Sequence, residues 1–118
     1  MAQYMLLLHQ NPGTNAALPA ENFKEIVQRY YAWAEKLRQQ GKYVGGEKLA
    51  AGRLRHIRMR DGKPLSSDGP YAEAKDLVAG FIVVEANDLA EAVELSTGCP
   101  MFDGGGSVEV RPVMKMNP

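Results

Sequence analysis

Asp68 is the carboxylate whose neighbours best suit a site. It lies in the run Ser67-Asp68-Gly69-Pro70-Tyr71-Ala72-Glu73-Ala74-Lys75. Gly69 frees the backbone to turn and Pro70 fixes φ at about −65°, so the turn is stiff. A carboxylate held on a stiff turn can accept a proton or orient a polar ligand. The same side chain can instead cap its own turn, as Asp does before Gly or Pro. Glu73 and Lys75 follow on a short helical-looking segment. They are either site partners, beside Gly69, Pro70 and Tyr71, or a solvated pair worth little energy.

His9 and His56 are the only imidazoles, hence the only side chains whose ordinary titration falls near neutrality. His9 ends an apolar run, a position that suits either a cleft residue or a structural hydrogen bond. His56 sits among Arg53, Arg55, Arg58 and Arg60. Alternation puts these arginines on both faces of a strand, which fits a charged edge as well as an anion-binding patch. Two histidines and one cysteine, with no His-x-x-x-His or Glu-x-x-His spacing, argue against a dedicated transition-metal site. Gly104-Gly105-Gly106 lacks the Lys-Ser/Thr of a phosphate loop and leads into a strand, so it reads as a flexible loop. Cys99 has no basic neighbour to activate it and reads as a buried, inert thiol. Among the aromatics, Tyr30 and Trp33 share the apolar stripe of a helix, so they read as core. Tyr31 lies at the stripe's edge and suits a cleft or a dimer contact.

The elements that must hold these residues follow from periodicity. Residues 3–9 are short, apolar and followed by Asn11-Pro12-Gly13, the pattern of a buried strand. Phe23, Ile26, Val27, Tyr30, Trp33, Ala34 and Leu37 recur at helical spacing, which predicts a helix over about 19–40. Pro19 suits its start and Gly41 its stop. Residues 53–60 and 63–67 read as a hairpin about Asp61-Gly62, and 77–86 as a further strand. Asp88 and Glu91 open a second helix over 88–97, with Leu89, Ala92 and Val93 expected inward, and Gly98 and Pro100 end it. A last strand alternates, with Val108, Val110, Pro112, Met114 and Met116 on one face. The order is strand, helix, strand hairpin, strand, helix, strand. It predicts one α+β domain of ferredoxin-like type, with helices on one face of an antiparallel sheet. Two helices leave the other face bare, and a homodimer packed sheet on sheet would cover it.

The totals narrow the class. Lys+Arg and Asp+Glu are 14 each, and this zero net charge argues against nucleic acid or a membrane surface as the main partner. The apolar run Met5-Leu6-Leu7-Leu8 is too short for a signal core or a membrane span, so a cytoplasmic protein is expected.

The stretch Asp68 to Lys75, with Gly80-Phe81 after it, resembles the signature of the DGPF branch of the YCII-related family. Tyr71 stands for that signature's Phe, Ala74 for its Thr or Ser, and Asp76 for its final Glu. Tyr4-Met5-Leu6-Leu7-Leu8, Gly45-Gly46 with Leu49, and Val108-Glu109-Val110-Arg111-Pro112 resemble other parts of the family pattern, so the likeness spans nearly the whole chain. The resemblance implies a dimeric α+β barrel of ferredoxin-like subunits and a small-molecule cleft near the DGP turn. It implies no named reaction, and it raises association with a sigma-type transcription factor as an alternative; no cofactor is expected. YCII proteins proper pair a His on the first helix with an Asp; Trp33 stands at that place here, so the pairing is not carried over. The expected site thus has Asp68 orienting a polar or anionic metabolite or accepting its proton, with His9, Tyr31, His56 and Arg111 as further candidates.

Overall fold

The computed structural model describes residues 1–10, 20–50, 54–67 and 77–116. The elements in order are β1 (Ala2–Gln10), α1 (Ala20–Gln39), β2 (Tyr43–Lys48), β3 (His56–Arg60), β4 (Lys63–Ser67), β5 (Leu77–Ala86), α2 (Leu89–Ser96), a 3-10 turn (Pro100–Gly104) and β6 (Ser107–Pro112). Four strands form one antiparallel sheet in the order β2-β5-β1-β6. With β3 and β4 set aside, this is the ferredoxin-like βαββαβ order, in which β5 lies between the two strands joined by α1.

Alternation along β1 sets the layers. Tyr4, Leu6 and Leu8 are buried, whereas Met5, Leu7 and His9 are half-buried. The buried set meets Val84, Ile82 and Gly80 across β5, and Leu6 and Leu8 meet Val110 and Val108 across β6. Trp33 and Leu37 of α1 and Ala92 of α2 close over this face to form the core. The Trp33 indole N–H donates to the Leu95 carbonyl at 3.2 Å, so its one polar group is satisfied where the two helices meet.

Five features differ from the reading of the sequence. The last strand ends at Pro112, leaving Met114 and Met116 outside it and exposed. Residues 43–48 are a sheet strand, although Gly45 and Gly46 interrupt the apolar pattern that would announce one. The β3–β4 hairpin forms a separate two-stranded sheet. On α2 the inward residues are Ala92, Leu95 and Ser96, while Leu89 and Val93 remain 48% and 46% exposed. A short helix buries one narrow stripe, and here that stripe is turned by about 60° from the expected one. The triple glycine is a built terminator instead of a flexible loop. Gly105 adopts φ 80° and donates to Phe102 O, and a Cβ on Gly106 would lie 2.6 Å from His9 O.

Candidate functional site

The helix face of the sheet is only partly covered by α1, and a cleft of about 340 Å3 lies between α1, β2 and β5. Val27, Tyr31, Ala34 and Arg38 border it from α1 at spacings of four, three and four, a stripe beside the one that carries Trp33 and Leu37 into the core. Tyr30 lies between the two stripes, lining the cleft and packing against the core. Leu8, Gly46 and Gly80 contribute from the sheet, with Tyr43, Lys48 and Ile82 around them.

Gly46 and Gly80 are demanded by strand packing. A Cβ at Gly46 would fall 2.6 Å from the Phe81 carbonyl oxygen, and one at Gly80 would fall 2.8 Å from that of Glu47. These strands therefore approach as bare backbone, and the cleft has no side chains at those two points.

Arg38 stands at the cleft with its guanidinium carbon 4.8 Å from the centre of the Tyr43 ring. It donates to Glu35 Oε2 at 2.6 Å, one turn back on α1. Stacked on a ring and tied by a carboxylate, the planar fork loses little further freedom when it binds an anion. Lys48 and Glu47 are the other charged residues of the lining, and both are exposed. Inside the cleft, Tyr30 is held neutral. Burial raises the pKa of its hydroxyl, helped by the Cys99 thiol 4.0 Å away. Burial likewise raises the pKa of Cys99, whose sulfur accepts the Met101 N–H at 3.5 Å.

The candidates from the sequence fall in separate places. Tyr31 borders the cleft and is 73% exposed. His9 and Arg111 are on the opposite sheet face, drawn together by Glu109. His9 Nε2 lies 3.1 Å from Glu109 Oε1, and the Arg111 guanidinium lies 3.6 Å from Glu109 Oε2. His56 is on the β3–β4 hairpin, in the separate two-stranded sheet. Asp68, Gly69, Pro70, Tyr71, Glu73 and Lys75 lie outside the described residues. Arg38 and Lys48 were not singled out from spacing. They are ten residues apart on different elements, and only the turn after α1 brings them to one cleft. The signal available was Arg38 at an i+7 position from Tyr31.

Among the described residues, no three His, Cys, Asp or Glu side chains converge as a metal site would require. No described helix is long and apolar enough to cross a membrane.

The match that decides the family is to the YCII-related domain, whose model covers residues 2–117. The chain belongs to the YCII-related family. An uncharacterised protein of Rhizobium meliloti (strain 1021) is 31% identical over 125 residues, covering 98% of this chain and 94% of that protein. Among solved structures, the fold is similar to that of a 5-chloro-2-hydroxyhydroquinone dehydrochlorinase from Burkholderia phenoliruptrix, in complex with 2,5-dihydroxybenzoquinone. That likeness has a TM-score of 0.56 and 15% identity, and covers 98% of this chain and 95% of the enzyme. At this identity the likeness is one of fold, and it supports the ferredoxin-like arrangement of this YCII-related chain.

Proposed function

We propose that this YCII-related protein binds a small polar or anionic metabolite in the cleft between α1 and the β2–β5 edge. The observation that carries this reading is Arg38, a cation pre-positioned over Tyr43 at a cleft of ligand size. Support of a coarser kind comes from the dehydrochlorinase, a protein of similar fold bound to a small quinone. The DGPF-like segment adds Asp68 as the group that would orient the ligand or take its proton. It joins Ser67 to Leu77, and β5 then leads directly to Ala79 and Gly80 of the cleft.

The protein is further proposed to act as a homodimer packed sheet on sheet. Met5, Leu7, Phe81 and Val83 lie on the sheet face opposite α1 and α2, and each is only half-buried among the described residues. A second copy would remove this apolar surface from water.

Thermal unfolding against a panel of several hundred metabolites tests the function. A ligand at about 100 times its dissociation constant adds about 2.7 kcal/mol of stability. Expected are hits that stabilise the wild type and are weakened by Arg38→Ala and by Asp68→Asn. A panel without hits, together with a stable sigma-factor complex insensitive to both substitutions, would overturn this reading in favour of an interaction module.

A further inference from the structure

The two outer strands of the four-stranded sheet differ in a way that bears on how two copies join. We infer that the homodimer proposed above, on which this inference rests, is held along β6. The β6 strands of two copies pair antiparallel about a two-fold axis at Val110, with Glu109 of each opposite Arg111 of the other.

Backbone direction comes first. β2 and β6 are the edges of the sheet. β2 carries a register shift between Tyr43 and Gly45, an irregularity that spoils an edge for further pairing. β6 pairs with β1 without a shift. Continuing that ladder, the Val113 N–H donates to Gln3 O at 3.0 Å, so the odd-numbered residues of β6 turn their N–H and C=O groups to β1. Those of Val108 and Val110 therefore point outward, and among the described residues no strand lies beyond them. Pro112 is the next outward position, where its missing N–H takes nothing from the ladder with β1.

Register comes second. A two-fold pairing of β6 with itself must centre on one residue. Centred on Glu109 it sets Glu against Glu, and centred on Arg111 it sets Arg against Arg. Centred on Pro112, the middle pair has no N–H to give. Centred on Val108, it leaves Arg111 past the end of the second strand, opposite Gly105. Centred on Val110, the two Val110 residues exchange both hydrogen bonds, each Val108 N–H reaches a Pro112 carbonyl, and Glu109 meets Arg111 twice. These charge pairs fall at the non-hydrogen-bonded positions, where facing side chains are closest. Within one chain the Arg111 guanidinium already lies 3.6 Å from Glu109, and both side chains are exposed. Pairing along β6 thus sets each arginine between two carboxylates.

The helix above the edge adds a third observation. Glu91 leaves one flank of α2 to meet Lys42, just before β2. Leu89 and Val93 lie about 160° around the helix from it, on the flank turned toward β6, and both are exposed. The seam brings this apolar flank toward its counterpart. A joined sheet twists, and curling away from the helices lets the faces with Met5, Leu7, Phe81 and Val83 meet within the same dimer.

Hydrogen exchange at single amides of the full-length protein tests the seam, at concentrations that sedimentation shows to be dimeric and monomeric. The Val108 and Val110 amides should exchange at least about tenfold more slowly in the dimer, while those of Glu109 and Arg111, bonded to β1, stay protected in both. A dimer in which Val108 and Val110 exchange quickly would overturn the seam and leave the homodimer standing. Slow exchange of both amides in the monomer would also overturn it, by showing that the chain covers its own edge. A protein monomeric at every concentration would remove the homodimer as well. Charge reversal reads the register. Glu109→Arg and Arg111→Glu should each weaken self-association about tenfold, and mixing the two should restore it, because the mixed pair sets opposite charges together at both places. A mixture that associates no more tightly than either variant alone would overturn the register.

Discussion

Cys99 and Tyr30 show how burial sets chemistry at single residues. Both groups are held neutral by their surroundings, Cys99 at 4% exposure, and neither is poised as a nucleophile or base at neutral pH. Cys99 should therefore resist iodoacetamide in the native protein and react at the rate of a free thiol in urea. Rapid native labelling would contradict the packing described. Because the folded thiol titrates above its ordinary value of 9.0, ionisation in the unfolded chain begins first as pH rises. The contribution of Cys99 to stability is thus intact below pH 9 and declines above it, and Cys99→Ala should flatten that decline in urea titrations. Leu6 has no exposed surface, and Leu6→Ala should cost about 2–5 kcal/mol, read from denaturant midpoints at constant m-value.

At the scale of elements, α2 illustrates what short sequence patterns convey. Its start was legible because Asp88 accepts the Glu91 N–H at 2.8 Å, the expected cap. Its inward face was not, because Leu89 and Val93 are as apolar as Leu95, and only packing on the sheet, chiefly against β5 and β6, decides among them. Glu91 also departs from the capping-box role. Its carboxylate receives Lys42 Nζ at 2.9 Å and Asn87 Nδ2 at 3.1 Å, tying α2 to the segment before β2. The Lys42 hydrogen bond is the main reason the carboxyl pKa lies below its ordinary value of 4.5. This tie is intact above pH 4.5 and is lost as pH falls through the lowered value. Wild type should lose more stability than Glu91→Gln between pH 5 and pH 3, and equal slopes would show that the tie contributes nothing. The strand β2 was missed for a related reason. A six-residue strand with two glycines carries little local signal, and its place in the sheet comes from pairing with β5. Strands β4 and β5 matched the reading of the sequence, because a turn signal and a continuous apolar run mark them locally. Of the cleft, Tyr30, Tyr31 and Tyr43 were legible as possible pocket aromatics, and Gly46 and Gly80 only through the family resemblance. Its charged members are unremarkable until α1 and β2 meet.

For the whole molecule, the Cα radius of gyration of 16.1 Å exceeds the roughly 13.5 Å of a compact domain this long. A single layer of helices on one sheet, with the β3–β4 hairpin set apart, accounts for the flat 47 × 46 × 18 Å outline. The sheet face opposite α1 and α2 is where the proposed second copy would bind. Sedimentation of wild type should give a dimer, and Phe81→Glu should shift it toward monomer by placing a charge on that face. An unaltered dimer would place the contact elsewhere. The most direct test of the central claim is a crystal structure of the protein with the metabolite that stabilises it most. Density between Arg38 and the backbone of Gly46 and Gly80 is the predicted result. Density instead beside His9, Glu109 and Arg111, on the far face of the sheet, would contradict it.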